Sequence, residues 1–108
     1  MDQITFEQFK QVEIRMGKVI SCEKVEGADK LLKLQVDFGK FQRQVISGIA
    51  ESFAPEDLIG KTLPFVINLE YRKFKGEESQ GMLMAIDFDS KTILLEPSAE
   101  VPPSAEVV

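Results

Sequence analysis

Leu32, Leu34, Val36 and Phe38 alternate with Lys33, Gln35 and Asp37, the period of two that puts one face of a strand against a core and the other in water. Gly39-Lys40 then turns the chain into Phe41 to Ser47, where Phe41, Arg43 and Val45 share one face and Gln42, Gln44 and Ile46 the other. The two runs predict a hairpin. Upstream, Ile14 and Met16 alternate with Glu13 and Arg15, and Val19 falls on the opposite parity after Gly17. A glycine where the inward phase flips predicts a bulge in one long, bent strand. Downstream, Leu63, Phe65, Ile67 and Leu69 predict a fourth strand, with Pro64 at its edge or beginning. Met82 to Asp87 predicts a fifth, and Asp89-Ser90 turns into a last short strand around Thr92 to Leu95. Helical signals are brief. Phe6, Phe9 and Val12 recur every three residues behind Thr5, a fitting N-cap with Gln8 three positions on. Ala50 to Leu58 carries Pro55, suited to a first turn, ahead of Gly60, suited to a helix end.

Three strands, a short helix and two more strands is the order of an OB-fold. The expected class is therefore all-β: a five-stranded Greek-key barrel with a short N-terminal helix and a short helix between strands 3 and 4. A chain of 108 residues fits one domain, 1–108, with its core over about 6–97. Pro97 to Val108, with Pro102-Pro103 and little to bury, reads as a loose acidic tail. Opening on Met1 and closing on that tail, the chain reads as a complete small protein. Barrels of this kind bind oligonucleotides or oligosaccharides on the face of strands two and three, although fold alone does not fix function.

Charge complicates a nucleic-acid reading, because the net is −5 where a basic footprint is the usual sign. Its distribution changes the picture. Residues 1–86 hold twelve Lys and Arg against thirteen Asp and Glu, while 87–108 set Lys91 against Asp87, Asp89, Glu96, Glu100 and Glu106. The body is near neutral, so a binding face has to be a local basic patch with moderate, salt-sensitive affinity. There is no histidine and one cysteine, Cys22, which removes the commonest acid-base residue, Ser-His and Cys-His pairs, and any intrachain disulfide. No catalytic residue, cofactor or metal site is expected. Glu77 and Glu78 read as a solvated acidic turn, and Cys22 as structural. No apolar run approaches the ~20 residues a bilayer requires and the first residues lack a signal-peptide order, so a cytoplasmic location is expected, with no membrane partner.

The candidate chemistry gathers in one stretch. Arg72, Lys73 and Lys75 surround Phe74 after the fourth strand, and Lys33 and Arg43 project from the second and third. Cations beside an aromatic ring suit an RNA strand, whose phosphates pair with Arg and Lys and whose unstacked bases lie on rings. The alternative is a solvated loop with Phe74 tucked into the barrel mouth. Ser79 and Met82 flank Gln80-Gly81: either a hydroxyl donor and an adaptable apolar contact beside a glycine that admits a ligand, or a turn and a core methionine. Asn68 either reads a base edge or holds the loop's backbone.

Together, Val12-Glu-Ile-Arg-Met-Gly-Lys-Val19, Val25-Glu-Gly-Ala-Asp-Lys-Leu-Leu-Lys-Leu34, Ser47-Gly-Ile-Ala50, Asn68-Leu69, Arg72-Lys73 and Glu78-Ser-Gln-Gly-Met82 resemble the tRNA-binding domain. That domain occurs at the C-terminus of bacterial methionyl-tRNA synthetases, in free-standing structure-specific tRNA-binding proteins and in the endothelial monocyte-activating polypeptide. The resemblance implies a non-catalytic OB-fold that binds tRNA by shape near the outer corner of the L. It also implies a homodimer joined through elements near both chain ends, and an aminoacyl-tRNA synthetase as a possible associate. By matching position it assigns tRNA binding to Asn68, Arg72, Lys73, Ser79 and Met82, with Lys33, Arg43 and Lys75 as neighbouring cations. The family usually has proline before the Arg-Lys pair; here Tyr71 stands there, giving up a fixed φ for an aromatic face. A related barrel, the export-related chaperone, binds unfolded polypeptides, and this is the alternative function.

Overall fold

The twelve-residue strand β1 (Ile14–Val25) is shared between two halves of the fold in this computed structural model, which describes residues 1–108. Its first half pairs antiparallel with β4 (Thr62–Val66) and its second half with β2 (Ala28–Asp37). Changing partners along one strand requires a bend. The register shifts between Val19 opposite Val36 and Ser21 opposite Gln35, so Ile20 is the bulged residue. The expected bulge at Gly17 is corrected: Gly17 stays in register opposite Leu63. It has to be glycine for another reason, since a Cβ there would lie 2.5 Å from Val36 Cγ1 and 2.6 Å from Phe38 Cε1.

β3 (Gln42–Ser47) extends the sheet beyond β2, and β7 (Met82–Leu83) extends it beyond β4, giving the order β3-β2-β1-β4-β7. Both outer strands would leave unpaired backbone groups. One short stretch closes the gap: Gln80 N–H donates to Gln44 O at 2.7 Å, Gln44 N–H to Gln80 Oε1 at 3.0 Å, and Ile46 N–H to Ser79 Oγ at 3.0 Å. Inside this OB-like barrel the predicted alternating positions Leu32, Leu34, Val36 and Phe38 are all buried, with Val19, Val45, Leu63 and Phe65. The four-residue α2 (Pro55–Leu58) adds Leu58 to that core and is capped by Asp57, whose Oδ2 accepts from Ala54 N–H at 2.9 Å.

Pro64 sits within β4 between two partners, not at an edge. It is tolerated because Met16 opposite sends its own N–H and C=O away, to Ala105 and Ser104, so the β1–β4 ladder asks nothing of residue 64. Strand β4 stops at Val66; Ile67 is still buried, but Leu69 is exposed. The expected single strand from Met82 to Asp87 is two. After β7, Met84 N–H bonds Pro64 O, and the chain then changes partner to form the hairpin β8 (Ala85–Phe88) and β9 (Lys91–Leu94). Asp89 and Ser90 turn it at φ 54° and 59°, the left-handed pair that two-residue hairpin turns require.

The end of the chain is not loose. Ser104 N–H bonds Met16 O, Ala105 O accepts from Met16 N–H, and Val107 N–H bonds Ile14 O, so this segment takes the edge of β1 that β2 leaves free. α1 (Phe6–Lys10) begins with the predicted capping box between Thr5 and Gln8, yet buries none of its residues. No helix is long and apolar enough to cross a membrane.

Candidate nucleic-acid interface

The stretch between β4 and β7 was expected to be a polar loop and is instead a second hairpin, β5 (Arg72–Phe74) with β6 (Glu77–Ser79). Lys75 and Gly76 turn it at φ 53° and 82°. The hairpin is seated by Phe74, which packs against a small cluster of Val25, Ala28 and Ile46 on the outside of the barrel. Arg72, on the same side as Phe74, lays its guanidinium 4.8 Å from that ring. Beside it Leu69, Met82 and Ile46 line a shallow cavity of about 70 Å³, with Glu70 and Arg72 also contributing. Gly81 closes this cavity against β4: a Cβ would stand 3.1 Å from Val66 O.

The eight residues singled out in the sequence divide by what already holds them. Arg72, Lys73, Lys75 and Met82 are exposed on or beside the hairpin. Ser79 is buried, its hydroxyl donating to Gly81 O at 2.9 Å while accepting from Ile46 N–H, so it shapes the bend that presents Met82. Asn68 ties the chain ahead of β1 to the end of β4: Oδ1 accepts from Glu13 N–H at 2.8 Å and Nδ2 donates to Gln11 O at 2.6 Å. Arg43 braces the same region, with one amino group donating to Ile67 O at 2.7 Å and Gln80 O at 3.1 Å. Its guanidinium lies 4.9 Å from the Phe41 ring and 5.6 Å from that of Tyr71, so the aromatic that replaces proline has an arginine on its face. Lys33 is held between Glu23 at 3.0 Å and Glu77 at 3.3 Å. Hydrogen bonding to Glu23, then to Glu77, raises its pKa above the ordinary lysine value.

Residues 14–106 match the family model described as "Putative tRNA binding domain". The chain belongs to that family. It is 48% identical over 108 residues to the methionine–tRNA ligase of Clostridium tetani and 45% identical over 106 residues to that of Archaeoglobus fulgidus. Both alignments cover 98% of this chain but only 17% and 16% of the ligases, so the tRNA-binding domain spans about a sixth of these relatives. Among solved structures, the MetRS related protein from Pyrococcus horikoshii superposes with a TM-score of 0.95 at 39% identity, each chain covered completely. The chaperone CsaA from Bacillus anthracis superposes at 0.89 with 26% identity, over 99% of this chain and 100% of that one.

Among the ion pairs of this tRNA-binding domain only Lys33–Glu77 touches the hairpin, and none takes up the hairpin's own cations. Arg15 pairs with Glu13 and Glu106, and Lys61 with Glu96, so two acids of the C-terminal region are matched to cations of the body. Arg72, Lys73 and Lys75 form no ion pair, although Lys73 stands opposite Glu78 in the hairpin register. Gln44 and Gln80, which knit the hairpin to β3, were not legible as functional. Gln44 donates to Glu78 O at 2.8 Å, and Gln80 to Glu78 Oε1 at 3.1 Å. The available signal was Ile46, an apolar residue on a face otherwise given to glutamines, which marks the seat of something packed outside the barrel. Cys22 lines a separate pocket with Glu23, Lys33 and Gln35; burial first, then Glu23 and Glu56, pushes its thiol up to about 11.

Proposed function

We propose that this domain binds structured tRNA through the β5–β6 hairpin and has no catalysis of its own. Arg72, Lys73 and Lys75 meet backbone phosphates, and Met82 with the apolar cavity meets an exposed ribose or base. Asn68, Arg43 and Ser79 set the loop geometry and Lys33 lies at the margin. The observation that carries this reading is three unpaired cations on a short hairpin anchored by a buried-side aromatic, within a chain of the tRNA-binding family. Phosphate contacts carry no base sequence, so recognition is by RNA shape. The domain works in the cytoplasm as a homodimer, free-standing or beside a methionyl-tRNA synthetase. There it raises the local concentration of tRNA at the enzyme.

The likeness to CsaA supports a second reading, a chaperone holding unfolded polypeptide on the same barrel. A gel shift separates the two. The domain shifts folded tRNA more strongly than the same RNA denatured by heat and formamide, and does little to keep a denatured client protein from aggregating. Suppressed aggregation with no tRNA shift would replace the first reading by the second.

A further inference from the structure

Between the turn that follows β1 and the β5–β6 hairpin lies a groove of about 290 Å³, lined by Lys24, Lys33 and Lys75 together with Glu23, Glu26 and Glu77. Three ammonium groups around a space of this size form a site for a phosphate. Three carboxylates line the same space, and two of them pair with Lys33. Lys33 on β2 is reached from β1 by Glu23 and from β6 by Glu77, so one cation is clamped by acids from two other strands. The lysine is the more covered partner, with 22% of its side chain exposed against 66% for Glu23 and 34% for Glu77. Glu77 also lies 3.5 Å from Gln44 Nε2. A phosphate approaching Lys33 therefore meets two negative charges first.

We propose that Glu23 and Glu77 mask Lys33 and so hold tRNA affinity below what the cations of this face would otherwise give. The groove is a phosphate site kept closed by the protein's own carboxylates. The proposal rests on the tRNA-binding reading above. It accounts for a lysine placed on the ligand face of the barrel and then neutralised, and it suits a module that has to release tRNA as well as capture it. In the native chain Lys33 contributes nothing to the number of counterions released on binding; with the mask removed it contributes one.

The experiment is a tRNA titration across salt concentrations with the full chain and three variants. Glu77→Gln keeps the shape and removes the charge, and it is expected to tighten binding about fivefold at low salt. The dependence of log K on log salt steepens by up to about 0.9, the value for one further phosphate contact, and by less in proportion as Glu23 still holds Lys33. Glu51→Gln, the same change in net charge away from the groove, gives less than half that gain and leaves the slope unchanged. Lys33→Met combined with Glu77→Gln returns affinity and slope to native values. The mask is overturned if tRNA binds but Glu77→Gln is no tighter than Glu51→Gln, or if the double variant keeps the gain. A native chain that binds no tRNA at any salt overturns the underlying reading instead, and this inference with it.

Discussion

At the scale of single residues, Asn68 shows how a side chain in a recognisable motif is committed before any ligand arrives. Both ends of its amide bond backbone on the far side of the first β-strand's entry, at Glu13 and Gln11, which fixes where the chain turns toward the hairpin. Asn68→Ala removes two hydrogen bonds from a largely exposed site. Urea unfolding is expected to show a loss of about 1–2 kcal/mol; an unmoved midpoint would mean the clasp carries no stability. Cys22 gives a prediction in pH. Its thiol is raised from 9.0 to about 11, chiefly by burial, so the unfolded chain loses this proton first. Below pH 9 both states keep it and the group is neutral to stability. Between pH 9 and about 11 the unfolded state alone ionises, and stability falls. Unfolding midpoints of the native chain should drop more steeply across that window than those of Cys22→Ser, and parallel curves would contradict it. Gly17 marks the limit of reading such positions from sequence. The phase flip there is real, but what demands the glycine is the space that Val36 and Phe38 occupy, which no local pattern contains.

At the scale of elements, the strands that pack one face on the core were legible and the short ones were not. From Leu32 to Phe38 the alternation runs unbroken along β2 and just past it, enough for its period to stand out, and every predicted inward position is buried. β5 and β6 have three residues each, too few for a period, and their turn starts with Lys75 at positive φ where glycine or asparagine is the usual sign. The barrel is thus readable from its period, while nothing in the sequence separates the hairpin that carries the candidate site from a loop. The N-terminal helix poses a different question. It has five residues, is capped at its start and buries nothing, leaving Phe6, Phe9 and Val12 in the open. A helix that short has no independent stability in water. The β8–β9 hairpin likewise exposes Ile86, Phe88 and Ile93. Exposed apolar side chains grouped on short elements mark candidate contact surfaces, and the homodimer proposed above would cover them. Light scattering is expected to give the mass of a dimer, and Phe6→Ser with Phe9→Ser the mass of a monomer. A native monomer, or a double variant that stays dimeric, would remove α1 from the interface.

At the scale of the whole molecule, the puzzle was a chain of net charge −5 in a family that binds a polyanion. Sequence alone located much of the excess acid beyond residue 86; the folded chain adds which charges are matched. Arg15, Lys33 and Lys61 are taken up by carboxylates, and Arg72, Lys73 and Lys75 are left on one hairpin. Net charge governs long-range attraction, whereas a local cluster governs the contacts made once RNA has docked. The central claim is that these contacts are phosphates met by that hairpin. It is tested most directly by the salt dependence of tRNA affinity in the native chain and in Arg72→Ala with Lys73→Ala. The expected slope of log K against log salt is about −2 to −3 for the native chain, shallower by about 1.8 in the double variant, with affinity reduced at least tenfold. A native slope near zero, or the same slope in both proteins, would contradict it.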